Sequence, residues 1–144
     1  MNGSVGRGFS RAKMAGAILL TAATSACGPS VSDHDNRIFA AAASVKLSAA
    51  DLSAAYAADT GAADARYRGR VVEISGTVGS VVEVSPMFIM AGTEPLVWAS
   101  LHEDTAADVL KTATKGQRIT LKCFCEGLDQ QVHLKSCVAS DGSR

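Results

Sequence analysis

The feature that most constrains the fold is an alternation of apolar and polar residues that starts near residue 66. Within 71–78, the apolar side chains of Val72, Ile74 and Val78 alternate with polar ones. A period of two is typical of a β-strand with one buried face. Gly76 interrupts the apolar side, and a glycine inside a strand indicates a bulge or a tight bend. Further strands are predicted at 81–84, 86–90, 96–101, 117–125 and 131–138.

An alanine-rich segment, 38–60, predicts a helix before the first strand. Ser48 is a candidate N-cap because Asp51 follows three positions later, as in an approximate capping box. Gly61 stands where a glycine commonly ends a helix. The N-terminal part of the domain is therefore predicted to be helical.

A second helix is predicted at 102–115, with Asp104 as its cap and Gly116 at its end. The order of elements is then helix, strand, hairpin, helix, strand, strand. A helix between the third and fourth strands fits an OB-like barrel, whereas the competing SH3-like barrel seldom carries it. The predicted fold class is mainly β, a small five-stranded OB-like β-barrel with an N-terminal helix and a helix between strands 3 and 4.

The first 26 residues have the plan of an export signal. Arg7, Arg11 and Lys13 are the only charged residues, and an apolar run follows at 14–23. That run is too short to span a bilayer, which needs about 20 residues. We predict a signal peptide at 1–26, a tether at 27–46, an OB-like domain at 47–144 and a periplasmic location in the cell envelope.

Cys27 follows the small residues that end this leader. The segment resembles a bacterial lipobox, in which such a cysteine is lipidated and becomes the mature N-terminus. Thr24 stands where the lipobox pattern prefers leucine, so ordinary cleavage after Ala26 is the alternative. We predict lipidation of Cys27 and, through it, a membrane as one partner.

The charge of the chain argues against nucleic acid as a partner. The whole chain is formally neutral, and residues 27–144 hold 11 basic against 14 acidic residues. Nucleic-acid binders usually have a basic balance, because phosphate contacts supply most of their non-specific affinity.

Several short segments occur in an order that matches a known family pattern. They are Ala55-Tyr56, the run 63–70 (ADARYRGR), 71–78 (VVEISGTV), 115–121 (KGQRITL) and 132–137 (VHLKSC). Over roughly 47–139 the chain resembles the tRNA_anti-like family of OB-fold proteins. The resemblance implies a disulfide between Cys125 and Cys137, and Cys123 stands where the family usually has glycine. The family name records a distant similarity to anticodon-binding domains and implies no tRNA binding here.

No set of residues in the chain has the pattern of a catalytic site. His34, His102 and His133 are scattered, and no paired carboxylates or phosphate-binding glycine loop are present. We therefore expect solvated surface histidines, no enzymatic activity, no cofactor and no metal. An alternative is an envelope thiol redox or metal-binding role for Cys123, Cys125 and Cys137, although zinc ligands more often have two to four intervening residues, and Cys123 and Cys125 have only one.

Two binding surfaces can be proposed from the strand pattern. OB barrels bind ligands across strands 2 and 3, which would carry Phe88 and Trp98. Trp98 alternates with Val97 and Ala99, which favours an outward position; the alternative is that Trp98 caps the barrel end or is covered by the N-terminal helix. The leading hypothesis is a non-enzymatic binding or interaction module for an unknown envelope protein, glycan or small ligand. The alternative is nucleic-acid binding through Arg66, Arg68 and Arg70, which would share one side of a strand start.

Overall fold

The computed structural model of the chain describes residues 34–140, so the predicted signal peptide and Cys27 lie outside the described residues. None of the helices in this part of the chain is long and apolar enough to cross a bilayer. The elements, in chain order, are α1 (Arg37–Ala40), β1 (Val45–Ser48), α2 (Ala49–Ala58), α3 (Thr60–Tyr67), β2 (Val71–Val82), β3 (Met87–Met90), β4 (Val97–Leu101), α4 (Glu103–Thr112), β5 (Arg118–Asp129) and β6 (Gln131–Ala139).

Five of the strands close into a barrel. The order is β2-β3-β4-β6-β5, and β5 returns to pair with β2. The β4–β6 pair is parallel, the other barrel pairs are antiparallel, and α4 connects β4 to β5. A sixth strand, β1, lies parallel to the first half of β2. The predicted fold class, an OB-like barrel with a helix between strands 3 and 4, is confirmed.

The barrel core follows the period-two pattern of the strands. Val72, Ile74 and Val78 of β2 are almost completely buried, as the alternation predicts. On the neighbouring strand β5, Leu121, Cys123 and Cys125 point into the same core, and Leu121 and Cys123 pair with Ile74 and Val72 of β2. One face of the sheet therefore forms the core, and the other is open to solvent or ligand except where α1 covers it.

Gly76 has a different role from the predicted bulge. The irregular step in β2 falls between Val78 and Ser80, where β2 pairs with β3. A Cβ at Gly76 would lie 2.8 Å from Cε of Met90 and 3.1 Å from Cβ of Ala49. The glycine is therefore needed because α2 begins directly against this point of the sheet.

The predicted helix at 38–60 is wrong as a single element. The segment holds α1, then β1, then α2, and the Ser48 cap is confirmed because its Oγ accepts the Asp51 N–H at 3.0 Å. Asp59 then caps a further helix, α3, by accepting the Ala62 N–H at 3.0 Å. Gly61 thus lies inside α3 and does not end a helix.

The predicted tether, 27–46, is wrong for the part that the structure describes. Ile38 of α1 is fully buried in a small cluster against the barrel, with Val71, Phe124 and Val138. The Asp35 N–H donates to Oγ of Ser136 at 2.9 Å. The folded region therefore includes at least the twelve residues before the predicted boundary at residue 47.

His102 is the N-cap of α4, in place of the predicted Asp104. Its Nδ1 accepts the Asp104 N–H at 3.2 Å, and the residue is only 1% exposed. The ring of Phe39 covers it, with ring centroids 4.8 Å apart. The expectation of a solvated histidine is therefore wrong at this position.

Candidate functional site

Three side chains form a row across the outer face of the barrel. Ile89 of β3 is in register with Trp98 of β4, and Trp98 is in register with His133 of β6. All three are half-buried, and the indole and imidazole centroids lie 5.6 Å apart in an edge-on arrangement. Trp98 lies between the buried Val97 and Ala99, so it takes the outward position that the alternation predicts.

A groove of about 430 Å³ opens beside this row at the β5–β6 hairpin. Its lining comes from the end of α3 and from both strands of the hairpin: Arg68, Glu126, Gly127, Leu128, Asp129, His133 and Lys135. His133 belongs to both the row and the groove, so the two form one continuous surface. We call the row and the groove together the candidate face.

The charges in the groove balance each other. Nζ of Lys135 lies 3.0 Å from a carboxylate oxygen of Glu126. Nη1 of Arg68 lies 3.4 Å from a carboxylate oxygen of Asp64, which stands behind the groove wall. Asp129 adds a further exposed carboxylate at the hairpin. The groove therefore offers both hydrogen-bond donors and acceptors without a net positive field.

Gly127 allows α3 to form one wall of the groove. Its φ is +105°, a conformation that side-chain-bearing residues rarely adopt. A Cβ there would lie 2.8 Å from Oδ1 of Asp64 and 3.3 Å from Cδ of Arg68. Both the backbone conformation and the approach of α3 thus require glycine.

Gly127→Ala is expected to lower the free energy of unfolding by about 1–3 kcal/mol, the usual cost of a strained backbone position. Urea denaturation monitored by circular dichroism measures this change. Gly92→Ala is the matched control, because a Cβ at Gly92 meets nothing within 4 Å. Equal effects of the two substitutions would contradict the role assigned to Gly127.

Behind this wall, hydrogen bonds link three side chains in a row: Cys125, Tyr56 and Asp64. The Tyr56 hydroxyl donates to Oδ1 of Asp64 at 3.0 Å and lies 3.6 Å from Sγ of Cys125. Because the tyrosine proton points to the carboxylate, the Cys125 thiol is the donor to the tyrosine oxygen. Burial raises the pKa of Tyr56 and the pKa of Cys125 above their ordinary values, so both groups stay neutral.

The disulfide joins Cys123 to Cys137, with their Cα atoms 4.2 Å apart, so the pairing of Cys125 with Cys137 that the resemblance implies is wrong. The reason is a bulge in the β5–β6 register. Lys122 pairs with Val138 but Phe124 pairs with Lys135, so β6 advances three residues where β5 advances two. This step places Cys137 beside Cys123.

Cys125 faces Leu134 and remains a buried free thiol. Among residues 34–140, no group of three or more histidine, cysteine or acidic side chains is arranged to hold a metal ion. Within residues 34–140 the three cysteines are therefore a disulfide pair and one separate buried thiol, not a cluster of metal ligands.

Cys125 is expected to resist alkylation by iodoacetamide in the folded protein at pH 8. Its pKa is raised by burial, and the thiolate is the reactive form. Mass spectrometry of the tryptic peptides should show Cys125 modified only after urea is added. Cys123 and Cys137 should be modified only after reduction as well. Rapid modification of Cys125 in the native protein would contradict the buried placement.

Phe88 is not part of the candidate face. It is 0% exposed and lies inside the barrel. The register explains the difference, because Phe88 pairs with the inward Ala99, whereas Trp98 pairs with the outward Ile89. The prediction that Phe88 and Trp98 share a binding face is wrong.

The three arginines do not share a strand face. Arg66 lies in α3, with its guanidinium 5.3 Å from the ring centroid of Tyr67. Arg68 follows the helix and Arg70 precedes the start of β2 at Val71. Of the three, only Arg68 lines the groove. The prediction that they share one side of a strand start is therefore wrong.

Most of the groove was missed from the sequence because residues 126–130 resemble a turn. In the structure β5 continues through them to Asp129, and the hairpin reverses at Gln130, which has a positive φ of 59°. The alternation of Gln131, His133 and Lys135 with buried residues on β6 is the sequence signal that marks an outward face.

A closed five-stranded barrel with a parallel third and fifth strand and a helix before the fourth defines an OB-fold domain. The model of the tRNA_anti-like family matches residues 11–138, so the chain belongs to that family. No curated protein and no solved structure matches the chain significantly.

Proposed function

We propose that this protein is an exported, non-enzymatic OB-fold binding module of the cell envelope and that its ligand binds to the candidate face. The observation that carries the proposal is the Ile89–Trp98–His133 row, which leads directly into the charge-balanced groove. This surface lies on strands 2 and 3 of the barrel and at the hairpin of strands 4 and 5, the positions that OB folds use for ligands.

The chemistry of the face favours an oligosaccharide over an oligonucleotide. OB folds bind single-stranded nucleic acid with a positively charged groove and several stacking aromatic rings. Here Arg68 and Lys135 are each paired with a carboxylate, and Trp98 is the single tryptophan of the chain. One ring next to a groove that offers both donors and acceptors suits a neutral or zwitterionic sugar chain.

The envelope location is supported by the sequence and by the cysteine chemistry. The leader at 1–26 and Cys27 have the pattern of an exported lipoprotein. The Cys123–Cys137 bond fits an oxidising compartment such as the periplasm. A lipid on Cys27 would hold the module at a membrane.

Isothermal titration calorimetry of the purified protein with soluble cell-wall glycan fragments tests the binding function. We expect saturable binding that changes little with salt and that is lost in Trp98→Ala and weakened in Lys135→Gln. Lys46→Gln is the matched control, because Lys46 also pairs with a glutamate, Glu73, at 3.1 Å but lies outside the candidate face.

Two results would contradict the proposal. Tight binding of a single-stranded oligonucleotide that falls steeply with salt would indicate the nucleic-acid alternative. No binding of glycan fragments by the wild type would remove the proposed ligand class. Cell fractionation with mass analysis of the mature N-terminus tests the location, and an intact Met1 in the cytosol would overturn it.

A further inference from the structure

A small apolar patch is exposed on the N-terminal segment of the folded region. It consists of Phe39, Ala40 and Ala42, which we call the α1 patch. Phe39 is 47% exposed, and within residues 34–140 the other exposed large apolar side chain is Val84. The part of the Phe39 ring that does not cover His102 leaves apolar surface in water beside two small apolar residues.

The barrel holds the α1 patch in a fixed position. Ile38, the residue before Phe39, is buried against the sheet, and Nζ of Lys122 donates to the Ala41 carbonyl at 2.9 Å. The ring of Phe39 rests edge-on against His102. The patch is therefore presented outward from a rigid support.

The length of chain before α1 limits where a membrane anchor can lie. Cys27 precedes His34, the first described residue, by seven positions. Seven extended residues span at most about 25 Å. If Cys27 is acylated, as proposed above, the bilayer surface must lie within that distance of α1.

Charges of both signs lie around the patch. Arg37 pairs with Asp35, and Nδ1 of His34 lies 3.4 Å from a carboxylate oxygen of Glu103. The cations Arg37 and Lys122 are matched in number by the carboxylates of Asp35 and Glu103, so the site has no cationic excess to attract anionic lipids. Contact with a membrane at this site would come from burial of apolar surface, as for an interfacial aromatic anchor.

We propose that the α1 patch rests in the interfacial region of the membrane that holds the Cys27 anchor. This inference rests on the lipid anchor in the proposed function. β5 runs from Phe124, beside α1, to Asp129 at the hairpin, a distance of roughly 17 Å at 3.3–3.4 Å per residue. Contact through α1 would therefore place the candidate face away from the bilayer, open to an envelope ligand.

Tryptophan quenching by brominated lipid tests this orientation. Three acylated proteins with one tryptophan each are placed in phosphatidylcholine vesicles that carry brominated acyl chains. They are the wild type, Phe39→Trp with Trp98→Phe, and Val84→Trp with Trp98→Phe. We expect the Phe39→Trp protein to lose most of its fluorescence, with a blue-shifted spectrum, and the other two to keep theirs. Circular dichroism checks that each variant is folded.

The possible results separate the inference from the proposed function. If all three proteins are acylated and none is quenched, the membrane contact is overturned, whereas the anchor and the binding module are not affected. Equal quenching of the Phe39→Trp and Val84→Trp proteins would also overturn it, because no fixed orientation would exist. An N-terminal mass without an acyl group would contradict the anchor itself, and the membrane contact would fall with it.

Discussion

Replacing Cys123 and Cys137 together by alanine is expected to lower the free energy of unfolding by about 3 kcal/mol, because the bond closes a loop with a sequence separation of 14. In the chain-entropy account, the bond acts mainly by restricting the unfolded chain. Both cysteines are fully buried in the barrel core, so their truncation also removes packing contacts. Urea denaturation of the oxidised wild type and of the double variant measures the difference.

Cys125→Ala provides the control that separates the two possible pairings. This variant keeps the bond between Cys123 and Cys137, so it should lose much less stability than the double variant and should show the same linked tryptic peptides as the wild type. Loss of the linked peptides in Cys125→Ala would instead support the pairing with Cys125. Both cysteines of the bond are replaced together so that no thiol is left to form a new pair with Cys125.

The barrel could be predicted because the alternation of apolar and polar residues along each strand shows which face of the strand is buried. Val72, Ile74 and Val78 alternate with polar residues, and only one side of a barrel wall faces the core. The helix before the fourth strand, α4, could also be predicted, because its apolar positions repeat at helical spacing and Gly116 follows it. These signals need no knowledge of which strands pair.

The N-terminal region could not be predicted in the same way. Val45 and Leu47 form a strand of four residues only because β2 offers a parallel partner, with Val45 opposite Val72 and Leu47 opposite Ile74. Alanine-rich sequence has high helix propensity, and propensity yields to tertiary pairing. Ile38 is likewise buried by contacts with distant strands that local sequence does not reveal.

The parts of the site that depend on strand register could not be predicted from the sequence either. The run 86–90 is apolar throughout, so alternation could not show that Phe88 points inward and Ile89 outward. Trp98 could be placed outward from its strand alone, but its neighbours Ile89 and His133 depend on pairing. The disulfide partner depends on a bulge, which shifts the register by one residue without a distinctive sequence.

Phe88→Ala is expected to lower the free energy of unfolding by about 3–5 kcal/mol, because it removes a fully buried ring from the barrel core and leaves a cavity. Ile89→Ala on the same strand is the matched control, with a clearly smaller expected loss because Ile89 is half-buried on the outer face.

Glycan binding by the two variants, measured below the unfolding transition, should show the opposite order. Ile89→Ala would weaken binding, since Ile89 adjoins Trp98, whereas any Phe88→Ala protein that remains folded would bind normally. A stable Phe88→Ala variant with impaired binding would place Phe88 on the ligand surface and contradict the β3–β4 register. Because the two substitutions are adjacent in the chain, only the side of the strand that each residue occupies can account for opposite results.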